Sequence, residues 1–178
     1  MKTIAYAMVA GVVLLVLLVE AVDENKDKSK EVWGDTFRGV ALSISLPREQ
    51  FKVGEEIDIA IKFKNFGDKE VSLLGEDRLS DYRAGLFRAD GSALAKHEWA
   101  RKADEPPSGP WHGSRSVARL SPGEQYGRTV PLKTWFDVKD PGQYYLVVVG
   151  RIWSWDEGSA MSNLVRFSVV AADEQKKP

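Results

Sequence analysis

Asp140-Pro141-Gly142-Gln143-Tyr144-Tyr145-Leu146-Val147-Val148-Val149-Gly150-Arg151 is the stretch on which the reading of this chain turns. Pro141 presets φ for the second position of a tight turn and Gly142 can take a positive φ at the third, so residues 140–143 predict a type II turn. The β-branched and aromatic run behind it predicts a strand. Alternation sends Tyr144, Leu146 and Val148 to one face and Tyr145, Val147 and Val149 to the other. Both stripes are apolar, whereas a two-layer protein needs only one such face. The second stripe therefore needs a cover, and there are three candidates: the segment 96–114, the Trp33 region or another molecule.

Upstream of this strand, Tyr126, Arg128, Val130 and Leu132 alternate with smaller or polar residues, and Ser121-Pro122-Gly123-Glu124 repeats the turn chemistry behind a strand at Val117–Leu120. Val40, Leu42, Ile44 and Leu46 oppose Ala41, Ser43 and Ser45, a half-buried strand that Pro47 ends. Phe51 to Glu56 reads as a turn into Ile57, Ile59, Ile61 and Phe63, a strand with one wet face. Asn65-Phe66-Gly67-Asp68 then predicts a hairpin into Val71–Leu74. Asp90-Gly91 favours a primed hairpin turn between residues 85–89 and 92–95. From Lys96 to Ser114 alternation stops and Pro106, Pro107 and Pro110 remove donors, so a long loop is expected. Leu164–Val170 reads as the closing strand.

Short strands, close turn signals and no long helical period beyond the N-terminal segment predict an all-β, two-sheet antiparallel sandwich. Of 178 residues, 25 are basic and 26 acidic, so the net charge of -1 offers no field for nucleic acid. No cysteine is present, which excludes disulfides, thiolate metal sites and a cysteine nucleophile. Lys2 precedes an apolar run from Ile4 to Val19, which reads as a signal peptide cut after Ala21 or as a retained signal anchor. Either way residues 22–178 are expected outside the cytoplasm, with a membrane contact only through an uncleaved N-terminal segment. Residues 22–36 read as a charged linker, 37–171 as the sandwich and 172–178 as a disordered tail, with Trp33 and Phe37 docking on the sandwich.

Asp140, Gly142, Tyr144 and Leu146 fall at the spacing of the tyrosine corner of immunoglobulin-like sandwiches, with Leu146 where the buried cysteine would stand. Phe51-Lys52-Val53-Gly54-Glu55, Asn65, Leu120 to Glu124 and Pro141-Gly142-Gln143-Tyr144 together resemble bacterial immunoglobulin-like domains over most of Val40 to Val170. Within that group, Asp90-Gly91, Leu120 to Glu124, Trp135 and Pro141 to Ile152 make the chain similar to the bacterial intracellular proteinase-inhibitor family. The resemblance implies an immunoglobulin-like fold and, more loosely, proteinase inhibition. An export signal and the long loop set this chain apart from that family.

No His-Glu-x-x-His pair, nucleophile elbow or phosphate-binding glycine loop occurs, so neither catalytic residues nor a cofactor are expected. His97 and His112, with Asp104, are the weak candidates for a metal, and none is assigned. Trp153 and Trp155 are two apart and share a side if the strand continues, where they would stack on sugar rings, anchor a protein partner or cap the core. Asp156 beside them suits sugar hydroxyls, and Arg151, Trp111 and Trp135 complete the candidate contacts. The expectation is an exported non-catalytic module that binds a protein partner in the cell envelope, with carbohydrate binding or proteinase inhibition as alternatives.

Overall fold

The computed structural model describes residues 31–74, 82–104, 117–153 and 158–172, and residues 32–178 belong to one unit. Among the described residues are ten strands: β1 Val40–Ser45, β2 Gln50–Lys52, β3 Asp58–Asn65, β4 Val71–Leu74, β5 Tyr82–Arg88, β6 Val117–Leu120, β7 Gln125–Pro131, β8 Gly142–Trp153, β9 Gly158–Met161 and β10 Val165–Val170. A short helix, α1, spans Glu98–Ala103, and a 3-10 turn spans Leu132–Thr134. β1, β3 and β7 form one sheet; the other strands form the second around β8. The protein is an immunoglobulin-like β-sandwich.

With 12 residues, β8 is long enough to take two partners in succession along each edge. On one edge β5 pairs with 144–150 and β4 with 152–153; on the other β10 pairs with 142–146 and β9 with 149–152. Its inner row of Tyr144, Leu146, Val148 and Ile152 belongs to the same buried cluster as Leu42, Ile59, Ile61 and Phe63 of the opposite sheet. Gly150 completes that row because the Phe63 ring fills the space a Cβ would need.

The corner forms as expected. The Tyr144 hydroxyl donates to the Asp140 carbonyl at 2.7 Å, and its ring stacks on Phe167 at 5.5 Å. The type II turn does not form at 140–143: Gly142 has no positive φ and opens β8 opposite Val169, so the ladder with β10 claims it for an extended conformation. The positive glycine falls instead at Gly54 and Gly123, with φ 82° and 81°. Each stands third in a turn closed by a backbone bond from the following glutamate, Glu55 to Lys52 and Glu124 to Ser121, both 3.0 Å. Each glutamate carboxylate then accepts the N–H of the turn's first residue, at 2.9 and 2.8 Å.

Several expectations need correction. β1 is buried on both faces, Ala41 and Ser43 included. Residues 32–34 lie beside it: Ser43 Oγ donates to Val32 O at 2.6 Å and Gly34 N to Leu42 O at 2.9 Å. Trp33 packs edge-on against Phe66 at 5.5 Å, and Phe37 fills the space beside Gly158. Asn65-Asp68 makes no hairpin, because β3 and β4 lie in different sheets. Asn65 is fully buried and serves the crossing: its Nδ2 donates to Lys69 O at 2.7 Å and Leu120 O at 3.0 Å, and its Oδ1 accepts from Gly67 N at 2.9 Å.

The sandwich is also not wholly antiparallel. After Pro47 the chain changes sheets, and β2 runs parallel to β10, with Phe51 edge-on to Phe167 at 6.0 Å; Phe51 is thus in a strand rather than a turn. At Asp90-Gly91 only the glycine has a positive φ, 81°. Gly91 N bonds to Arg88 O and Arg88 N to Ser92 O, giving a three-residue loop in place of a primed two-residue turn. Lastly, the expected loop 96–114 begins with α1, whose buried Ala100 joins the core.

Candidate functional site

The outer row of β8 carries the surface of most functional interest, and it changes character along its length. At one end Tyr145 and Val147 are 9% and 7% exposed, beside Phe87 of β5 at 9%. Phe87 stands opposite Tyr145, and its ring lies over Gly85 next to Val147. Part of the expected cover for this stripe therefore comes from the sheet itself. Trp33 is not the cover, since it docks on Phe66; of the segment 96–114, residues 105–114 lie outside the described residues.

Toward the other end the row opens. Val149 and Arg151 are half-buried. Register sets Arg83 of β5 opposite Val149, while Met161 and Ser159 of β9 stand opposite Val149 and Arg151. With side chains alternating across the sheet, these five residues share one face. Met161 is 37% exposed. An apolar pair, Val149 and Met161, is thus flanked by two guanidinium groups.

The electrostatics follow from this placement. Arg83 is half-buried and its Nε is buried without a hydrogen-bond partner among the described residues. Burial pushes its pKa below the usual arginine range, the nearby Arg151 charge adds to that, and Asp104 works in the opposite direction. Asp104 itself is engaged by Lys96 in a partly buried ion pair. Such an arrangement suits recognition of a complementary surface: arginine and methionine are enriched at protein interfaces, and a partly desolvated guanidinium bonds more strongly than an exposed one.

The remaining candidates are placed as follows. Trp135 is corrected as a contact residue: it is 1% exposed, follows the 3-10 turn with its N–H bonded to Leu132 O, and offers its carbonyl to His97 N. Trp153 ends β8 opposite Ser72. Trp111, Trp155 and Asp156 lie outside the described residues, as does His112. His97 turns its Nε2 to the Lys133 carbonyl at 3.1 Å. Among the described residues no three His, Asp or Glu side chains form a metal-binding group.

Arg83 and Met161 escaped the sequence reading. Arg83 falls just ahead of residues 85–89, where a strand was expected; extending that strand back to Tyr82 would have exposed it as a charge on an apolar face. Met161 lies in the short strand β9, whose Gly-Ser-Ala-Met carries little pattern of its own. Ser162 and Asn163 behind it were equally silent. Ser162 exchanges backbone and hydroxyl bonds with Val148 at 2.8 and 2.9 Å. Asn163 clamps both backbone groups of Ile44, at 2.8 and 3.0 Å, and so ties the second sheet to the first.

No protein-family model matches the chain, and no curated protein sequence matches it. Among solved structures the matches are at low identity. The C-terminal domain of wzt aligns at a TM-score of 0.46 with 14% identity, over 82% of this chain and 81% of that one. A CARDB domain from Pyrococcus furiosus, in complex with di-metal ions, aligns at 0.37 with 14% identity, over 78% and 100%. A β-glucosidase from Listeria innocua aligns at 0.41 with 14% identity; the match covers 75% of this chain but spans only 16% of the glucosidase.

Proposed function

We propose that this protein is an exported, non-catalytic module that binds a protein partner in the cell envelope through the outer face of β5, β8 and β9. The observation that carries the reading is the Val149–Met161 pair with Arg83 and Arg151 beside it. Apolar area at the centre supplies burial, and flanking arginines supply direction. Export is supported by Lys2 and the apolar run Ile4–Val19.

A pull-down from membrane and periplasmic fractions tests this, with the wild-type protein beside an Arg151→Glu, Met161→Glu variant and a Trp153→Ala, Trp155→Ala variant. Capture of a protein by wild type, lost in the first variant with its melting curve unchanged, is the expected result. Capture that survives the first variant and fails in the second moves the surface to the tryptophans. Tryptophan quenching by glycans without protein capture would replace the reading with carbohydrate binding, and inhibition of a captured protease would replace it with proteinase inhibition.

A further inference from the structure

The outer face retains two like charges whose presence the fold itself does not reward. Arg83 stands opposite Val149, and Arg151 lies two residues beyond Val149 on β8, a diagonal spacing of about 7–8 Å between backbones that long side chains readily bridge. The Arg83 Nε is withdrawn from solvent and makes no hydrogen bond among the described residues. A buried donor left unmade costs stability, and so does a second guanidinium beside it. Asp104, whose charge reaches Arg83, is engaged by Lys96. Val149 and the exposed Met161 border the pair on one side, lowering the dielectric in which a charged ligand would meet it.

We infer that Arg83 and Arg151 form a two-arginine clamp for a carboxylate, the Asp, Glu or C-terminal group of the protein partner. This rests on the binding reading above and adds the chemistry of its contact. A carboxylate accepts from two guanidinium forks at once. Placed between them it neutralises the repulsion between the two cations. A lysine at either place would supply charge without the planar fork, and the apolar pair alone would supply no orientation.

The test follows the Arg83 and Arg151 side-chain Nε–H resonances of the full-length, nitrogen-15-labelled protein during titration with succinate, inorganic phosphate and sodium chloride at matched ionic strength. Succinate is expected to move the Arg83 resonance saturably, with affinity reduced at least about tenfold in Arg151→Gln. Arg83→Lys, which keeps the charge, is expected to abolish saturable succinate shifts at Arg151. Overlapping succinate and chloride curves, or a succinate response unchanged in Arg151→Gln, would overturn the clamp. Phosphate binding about tenfold tighter than succinate would overturn the carboxylate assignment in favour of a phosphoryl group. A failed succinate titration alongside partner capture that still depends on Met161 and Arg151 removes the clamp and leaves the binding surface standing; loss of both removes the binding reading itself.

Discussion

The two faces of β8 are made from the same kinds of residue and meet different surroundings. On the inner face Tyr144, Leu146 and Val148 are closed over by the opposite sheet, at 0–1% exposure. On the outer face Tyr145 and Val147 shelter under Phe87, and the row then opens at Val149 and Arg151. Apolar character in a strand therefore reports burial without saying by what. The closed row belongs to the fold, while the opening row leaves Val149 and Arg151 partly exposed.

Substitutions at matched positions sharpen that difference. The largest effect is expected at the inner row, where Leu146→Ala should lower stability by roughly 2–5 kcal/mol in a urea melt, through lost transfer energy and the cavity left behind. Val147→Ala, one residue on and facing outward, should cost about 1–2 kcal/mol, since it removes less apolar surface from a thinner cover. Equal losses at the two sites would erase the distinction between the faces.

The neighbouring tyrosines make a finer pair. Tyr144→Phe should cost roughly 1–3 kcal/mol, because the Asp140 carbonyl loses its donor. Tyr145→Phe should cost less than about 0.5 kcal/mol, because that hydroxyl meets Gln143 Oε1 only at 3.4 Å. A reversed order in the same melt would place the corner on the wrong tyrosine. The smallest stability effect is expected at the open end: Met161→Ser should stay within about 0.5 kcal/mol of wild type, as surface changes away from special features do.

What the sequence made legible follows the same division. Strict alternation in Ile57–Phe63 and the Tyr144 spacing reflect local periodicity and a local hydrogen bond, and both stand in the structure. Ser43 looked like a solvent-facing residue because nothing in β1 announces that residues 32–34 will lie beside it. The Asn163 clamp on Ile44 spans 119 positions, a distance over which no local pattern can speak. Helix α1 is six residues long, too short for an amphipathic period; its Glu98–Lys102 pair at 2.8 Å and its good helix formers were the available signal. The site was half legible: Arg151 and Trp153 stood out at the end of a strong strand, whereas Arg83 and Met161 join them only through strand register.

The most direct test of the account pairs two readings on one variant, Arg151→Glu with Met161→Glu: its melting curve and its capture of a partner from envelope fractions. The account predicts a melt that overlays wild type and a partner that is no longer captured. Capture at wild-type level with the melt unchanged would contradict it, because the open end of β8 would then be surface without a role in binding.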